Sequence, residues 1–472
     1  MRIKGLVEGI GGFCRFACGL VRLRRICGGG AEIPGAGDSS APAESGVGRL
    51  SEQQSAARLL RLTGRRAVRG RLNLSTGSVV CGLLPGCLLL TCVVASAILL
   101  PSCLENLAMA SVFRPAIDRM AGYVPGEQPQ ETGWVKLNTN ENPYPPSPRV
   151  VSAIRQMAEG RLNVYPDPDA TGFRRVAAAL HGVEPDWILP ANGSDENLTI
   201  IMRSFCDAGQ QIGYPYPSYV LYESLARIQD VGVHRLLLRP DWTWDQSRAA
   251  ELRRSVRIFF VPNPNSPTGT SWSTDQLLEL LPDDGVLVLD QAYADFSEQS
   301  QGAELLRDAR FAGRLLMTRT FSKSYSLAGI RFGYCIAHPD LISGMRKVKD
   351  SYNCDAVAIA AATAALEDQQ WMLANRDRIL ATRLRLATAL PRHGFVVHPS
   401  QANFLWTTHA SVSHRSIYER LKQQRVLVRY MKFPGAAADG GELDGLRITI
   451  GTEPEIERLL EVLPQAVEPR SG

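Results

Sequence analysis

Beyond residue 160 the chain alternates short, continuous apolar runs with segments of helical period. The runs are ARIQDVGVHRLLL (226–238), SVRIFFVP (255–262), GVLVLD (285–290), GRLLMTR (313–319) and FGYCIAH (332–338). Unbroken Val, Ile, Leu and Phe between helices predicts strands buried on both faces, hence a mostly parallel sheet covered by helices. The fold class is therefore α/β. From Leu341 to about Leu380 the pattern is long, amphipathic and poor in proline, which predicts a connecting helical region. Past Leu386 the runs FVVH, ANFLW, VLVRY and LRITIG alternate with helical stretches and predict a smaller α+β domain. The expected division is an N-terminal arm at 109–160 that joins the smaller domain, a large domain at 161–350, and a connecting helix with the C-terminal small domain at 351–472.

The first 108 residues do not share this pattern. They are Gly-, Arg- and Cys-rich, with no sustained period. They hold thirteen Lys/Arg against six Asp/Glu, so the chain's net +5 becomes −2 once they are set aside. The remainder carries no basic footprint for nucleic acid, and that class of function is excluded. Residues 79–100, VVCGLLPGCLLLTCVVASAILL, are long enough to span a bilayer and follow Arg65, Arg66, Arg69 and Arg71. Pro85, two glycines and a position too deep for a signal peptide weigh against an anchor. The reading adopted is that Met109 opens the folded protein and that residues 1–108 form no fold, with a membrane anchor and a targeting or other extension as the alternatives. A cytoplasmic protein is expected. Seven of the ten cysteines lie in this stretch, which leaves Cys206, Cys335 and Cys354 and no disulfide framework elsewhere. The seven histidines show no metal-ligand spacing, so no metal site is expected.

Candidate chemistry gathers at the ends of the apolar runs, where open α/β sheets bind ligands. In TRTFSKSYSLAGIRFGY, Lys323 follows a strand, and Arg331 stands eight residues on. A lysine buried there is a usable amine for a Schiff base. Asp290 closes GVLVLD, and a carboxylate ending a buried strand needs a partner such as a protonated ring nitrogen. Tyr293 follows it. Asn265, in the loop FFVPNPNSPTGT, has an amide to donate. Gly193, Ser194 and Asp195 open a helix whose free N–H groups suit a phosphate, unless Ser194 or Asp195 simply caps it. In YPYPSYVLY, Tyr219 is the candidate to stack on a planar ring while its neighbours pack.

These segments, in this order, resemble the fold type I pyridoxal-phosphate aminotransferases from about Met109 to Leu463. FRPAIDRMAGYVPGEQP, KLNTNENPYPPSP, NVYPDPD, PANGSDENL, NPNSPTGT and VLVRY followed by LRITIGT resemble the histidinol-phosphate aminotransferase family. The resemblance implies pyridoxal 5′-phosphate as cofactor, with Lys323 as its Schiff-base lysine and proton shuttle. Thr320, Ser322, Arg331 and the backbone at Gly193–Asp195 would hold the cofactor phosphate. Tyr165 would reach that phosphate from a neighbouring subunit, making a homodimer with shared sites. Asp290 would serve the ring nitrogen, Tyr293 and Asn265 the ring oxygen, and Tyr219 the ring face. Arg447 would take the substrate α-carboxylate, and Arg429 with Tyr144 a substrate phosphate. The implied reaction transfers the amino group of L-histidinol phosphate to 2-oxoglutarate in histidine biosynthesis.

Two departures stand out. Ser266 occupies the position before the PTG proline where many relatives have Asn, which throws the ring-oxygen contact onto Asn265. Gln291 follows Asp290 where Glu is common, and its side chain is expected not to touch the ring. Competing readings are a pyridoxal-phosphate lyase of the threonine-phosphate decarboxylase kind, an aromatic amino-acid aminotransferase, and a binding protein without activity.

Overall fold

Strand β1 (Val135–Leu137) belongs to a sheet completed only near the other end of the chain. The next seven strands are β2 (Ile188–Ala191), β3 (Gln211–Tyr216), β4 (Gly232–Leu237), β5 (Ile258–Pro262), β6 (Val286–Asp290), β7 (Leu315–Thr320) and β8 (Gly333–Ala337). They form the larger sheet in the order β2-β8-β7-β6-β5-β3-β4. Its pairs from β4 to β7 are parallel, and β8 lies antiparallel between β7 and β2. This computed structural model describes residues 111–122 and 126–468. The apolar stretch 79–100 lies outside them, and among the described residues no helix is long and apolar enough to cross a membrane.

The larger sheet is buried on both faces because its strands are apolar at odd and even positions alike. Successive side chains point to opposite sides. Phe259 and Val261 of β5 enter one core, while Ile258 and Phe260 enter the other. β6 and β7 divide the same way: Leu287, Leu289, Leu315 and Met317 against Val286, Val288 and Leu316. Parity then puts Asp290 and Thr318 on the second face, at the C-terminal end of adjacent strands, where they are register partners.

Parts of the fold differ from expectation. The run ARIQDVGVHRLLL is half helix: the helix Leu221–Gln229 ends at Asp230, whose φ of +59° is left-handed, before β4 begins. β2 and β3 were not among the expected runs. β3, QIGYPY, is an inner strand despite Gly213 and Pro215, and the glycine is needed because a Cβ there would meet Phe259 Cε2 at 2.7 Å. The connecting region is three helices, Pro339–Arg346, Ala356–Leu366 and Gln369–Ala389, with Asp355 capping the second.

The smaller sheet comprises β1, β9 (Phe395–Val397), β10 (Phe404–His409), β11 (Val426–Pro434) and β12 (Glu442–Thr449), in the order β1-β11-β12-β10-β9. One face packs Val426, Val428, Leu446 and Ile448 against the helices His414–Gln423 and Glu453–Val467. The other sends Trp406 and Phe433 into the second core of the larger sheet. Arg429 and Arg447 share parity with that second group, so they face the larger sheet.

Candidate active site

A cleft of about 890 Å³ opens at the C-terminal ends of the parallel strands, between them and the smaller sheet. Lys323, Asp290, Tyr293, Thr320, Ser322, Arg331, Ser194, Asp195, Tyr219, Arg429 and Arg447 line it. Lys323 lies in the turn after β7. Its Nζ donates to the Thr139 carbonyl at 3.0 Å and stands 5.9 Å from the centre of the Tyr293 ring.

At one end, the helix Ser194–Phe205 presents its N-terminus. Its N-cap is Gly193, and no side chain caps it, so the capping alternative for Ser194 and Asp195 is not what the structure adopts. Amides of the first helical turn have no partner within the helix and, with the helix dipole, favour an anion. Gly193 is required twice over: its φ is +87°, and a Cβ would meet Arg331 Nη2 at 2.9 Å. Arg331 Nη1 donates to Ser322 Oγ at 3.1 Å, and Thr320 Oγ1 accepts from the Ser322 amide at 3.1 Å. The Asp195 carboxylate accepts from Tyr219 Oη at 3.2 Å and pairs with Arg331 at 3.5 Å. Two hydroxyls, a guanidinium and a helix N-terminus thus surround one point.

Asp290 sits deeper and is 4% exposed. Its carboxylate accepts from Tyr222 Oη at 2.8 Å, Thr318 Oγ1 at 3.2 Å and the Ala292 amide at 3.3 Å. Burial pushes its pKa up to about 6, because those neutral donors offset only part of the lost hydration. Tyr222 was expected merely to pack. It instead holds this carboxylate, and the signal was its position one helical turn from Tyr219, on the helix that covers the Asp290 face.

On the opposite side, Arg429 and Arg447 are direct register partners across β11 and β12. Arg447 is held by Ser266 Oγ and the Asn138 carbonyl, each at 3.0 Å. No hydrogen bond or ion pair reaches Arg429 from the described residues. Ser266 stood out in the sequence only as a departure before the PTG proline, and Asn138 not at all, since both act on Arg447 from segments distant along the chain.

Three expected residues are not brought together with this set. Asn265 is fully buried: its Nδ2 donates to the Pro217 carbonyl and Thr268 Oγ1, and its Oδ1 accepts from Ser218. An amide so committed braces the loop and has nothing left for a ligand in the cleft. Tyr144 is buried in the smaller core, with the Arg378 guanidinium 3.6 Å above its ring. Tyr165 is 76% exposed and stacks on Tyr352 at 4.3 Å, outside this chain's cleft. Gln291 turns to the other face of the sheet, where it accepts from Arg319 at 3.2 Å.

Residues 132–463 match the family described as aminotransferase class I and II, and the chain belongs to that class. It is 46% identical over 358 residues to the histidinol-phosphate aminotransferase of Rhodopirellula baltica, covering 75% of this chain and 96% of that protein. The corresponding protein of Geotalea daltonii is 42% identical over 354 residues, covering 74% and 98%. Histidinol-phosphate aminotransferase from Sinorhizobium meliloti, solved in complex with pyridoxal-5′-phosphate, superposes with a TM-score of 0.68 at 26% identity, covering 76% of this chain and 98% of that one. Within the class, the chain belongs to the histidinol-phosphate aminotransferase family.

Its cofactor is pyridoxal 5′-phosphate, and the cleft fits that group on its own terms. The uncapped helix end beside Arg331, Ser322 and Thr320 suits a phosphate. The buried Asp290, raised in pKa for want of a cation, suits a protonated ring nitrogen. Lys323 lines the same cleft with its amine.

Proposed function

We propose that this protein transfers the amino group of L-histidinol phosphate to 2-oxoglutarate, giving imidazole-acetol phosphate and glutamate in histidine biosynthesis. Pyridoxal phosphate supplies an electron-withdrawing ring that stabilises negative charge at the substrate α-carbon. Lys323 would take the proton from the substrate α-carbon and deliver it to the cofactor carbon that ends up carrying the amino group. Asp290, oriented by Tyr222 and Thr318, holds the proton on the ring nitrogen, and Tyr293 donates to the ring oxygen. Tyr219 covers the ring face. Arg331, Ser322, Thr320 and the amides from Gly193 to Asp195 hold the cofactor phosphate. The observation that carries the choice of substrate is the side-by-side pair Arg429 and Arg447. One guanidinium suffices for a carboxylate, while a phosphate dianion has room and charge for two.

The working unit in this reading is a cytoplasmic homodimer. The exposure of Tyr165 supports a role at a second subunit's phosphate site, the residue being outside its own cleft. The arm 109–160 is assigned to the smaller unit, 161–350 to the cofactor unit, and 351–472 to the connecting helices and smaller unit. Pairing of β1 with β11 supports the first assignment.

The deciding assay incubates purified protein with L-histidinol phosphate and 2-oxoglutarate and follows glutamate. Formation of glutamate with loss of histidinol phosphate is expected. Absence of that exchange, with carbon dioxide released from threonine phosphate, would replace this reading by a lyase.

A further inference from the structure

Asn140 lies in the arm just after β1, 1% exposed, with a left-handed φ of +57° that asparagine tolerates. Its four polar groups are all engaged. The backbone N–H donates to Thr449 Oγ1 at 3.0 Å, and the backbone carbonyl accepts from Asn403 Nδ2 at 3.0 Å. The Thr449 hydroxyl donates to Asn140 Oδ1 at 3.0 Å, and Asn140 Nδ2 donates to Tyr293 Oη at 2.9 Å. Thr449 sits two residues beyond Arg447 on the same face of β12. The ring of Tyr293 is itself fixed, edge-on to Phe404 at 5.0 Å.

This chain of bonds has a direction. Because the Thr449 hydroxyl donates to Oδ1, turning the amide over would leave that buried hydroxyl proton without an acceptor among the described residues. Nδ2 therefore faces Tyr293. A phenol that accepts from an N–H must send its own proton elsewhere, and among the described residues nothing else accepts it. Tyr293 lines the cleft, so its proton is aimed there.

We infer that Asn140 is a positioning residue that fixes Tyr293 as a hydrogen-bond donor into the cleft and ties that polarity to the strand carrying Arg447. The inference rests on the reading above in which Tyr293 faces the cofactor ring oxygen. A donor to that oxygen draws negative charge from it. Losing the donor makes the conjugated chromophore more basic and raises the pH at which the visible absorption of the bound cofactor changes.

The test is a pH titration of that absorption in the holoenzyme, comparing wild type, Tyr293→Phe, Asn140→Asp and the double variant. Aspartate keeps the shape and tolerates the left-handed φ, but presents an acceptor that turns the phenol proton away from the cleft. Tyr293→Phe is expected to raise the midpoint by about one to two pH units, the size of one hydrogen bond to a charged group. Asn140→Asp should raise it comparably, with no further rise in the double variant. Asn140→Gly, which keeps the backbone conformation, frees the hydroxyl and should give a smaller rise, also absent beside Tyr293→Phe. It decides the matter if the aspartate variant does not fold. A Tyr293→Phe shift with wild-type midpoints in both Asn140 variants would overturn the inference and leave the reading of Tyr293 standing. A shift from Asn140→Asp that persists beside Tyr293→Phe would mark a through-space charge effect and overturn it too. No shift in Tyr293→Phe would remove the underlying reading itself.

Discussion

Replacing Arg429 by alanine separates the proposed substrate from a generic amino donor. Arg447 is anchored by Ser266 Oγ and the Asn138 carbonyl, so its place is set before any ligand arrives. Arg429, directly opposite in register, has no hydrogen bond or ion pair among the described residues. A glutamate α-carboxylate needs only the anchored guanidinium. A phosphate dianion uses both. Losing one charge-assisted bond to a partly buried anion costs about 1.5–3 kcal/mol, about ten- to a hundredfold in rate constant. Relief of repulsion between like charges directly across a sheet returns only about 0.2–1 kcal/mol, and it acts on the free protein. Arg429→Ala should therefore slow the half-reaction with histidinol phosphate by about ten- to a hundredfold and largely spare that with glutamate, while Arg447→Ala damages both. Single-turnover changes in cofactor absorbance, followed with each donor alone, report the two effects. Equal losses for both donors in Arg429→Ala would refute a dedicated phosphate reader, and the substrate assignment would go with it.

Asp290→Ala should lower turnover by several orders of magnitude, and a loss below about tenfold, roughly 1.4 kcal/mol of barrier, would remove its role at the ring nitrogen. Asp290 also predicts a pH dependence of stability. Its folded pKa of about 6 exceeds the ordinary 3.8, so the cofactor-free protein binds that proton more tightly than the unfolded chain and loses stability as pH rises between those values, by roughly 3 kcal/mol. Urea denaturation of the cofactor-free wild type and Asp290→Asn at pH 4 and pH 7 should show the variant gaining relative stability at the higher pH, and a constant difference would contradict the burial effect. Gly193→Ala forces a side chain into a φ of +87° and against Arg331. Strain of about 1–2 kcal/mol should weaken cofactor retention by about tenfold, measured by spectral titration, whereas unchanged affinity would mean that the helix end is not the phosphate seat. The chain begun at Met109 should bind cofactor and turn over like the full-length protein, and loss of either property would show that residues 1–108 serve the fold.

What the sequence discloses depends on whether a residue's surroundings are local. β5, β6, β7 and β8 were legible because strands buried on both faces need apolar residues at every position, and VLVLD or IFFVP can hardly be read otherwise. β3 was not, because Gly213 and Pro215 read as a turn until Phe259, on the neighbouring strand, explains the glycine. The same divide runs through the cleft. Lys323 and Asp290 stand at strand ends, where the topology alone brings them to the carboxyl edge of the sheet. Asn265 has the right residue type in the right loop, yet its amide turns inward to Pro217 and Ser218, which come from the loop after β3. Tyr144 likewise follows a recognisable motif but is captured by Arg378 from the long helix Gln369–Ala389. Tyr222 looked like packing because its place one turn from Tyr219 points it to the cleft side but does not show that its hydroxyl ends on Asp290.

Several places where local rules are broken lie at the cleft. Arg331 and Asn140 adopt left-handed φ values of +56° and +57°, Asp290 is a carboxylate buried among neutral donors, and two arginines face each other across a ladder. Elsewhere each of these would be a cost without return. In the proposed reading three of them specify a property of the occupant. The guanidinium at Gly193 and the uncapped helix call for an anion at one end. The raised pKa of Asp290 calls for a cation, against which the carboxylate becomes fully ionised. In the proposed reading the paired Arg429 and Arg447 call for a second anion of more than one charge. A phosphorylated pyridine ring joined to a phosphorylated amine meets all three demands at once, so the same features that lower the stability of the free protein select what it binds.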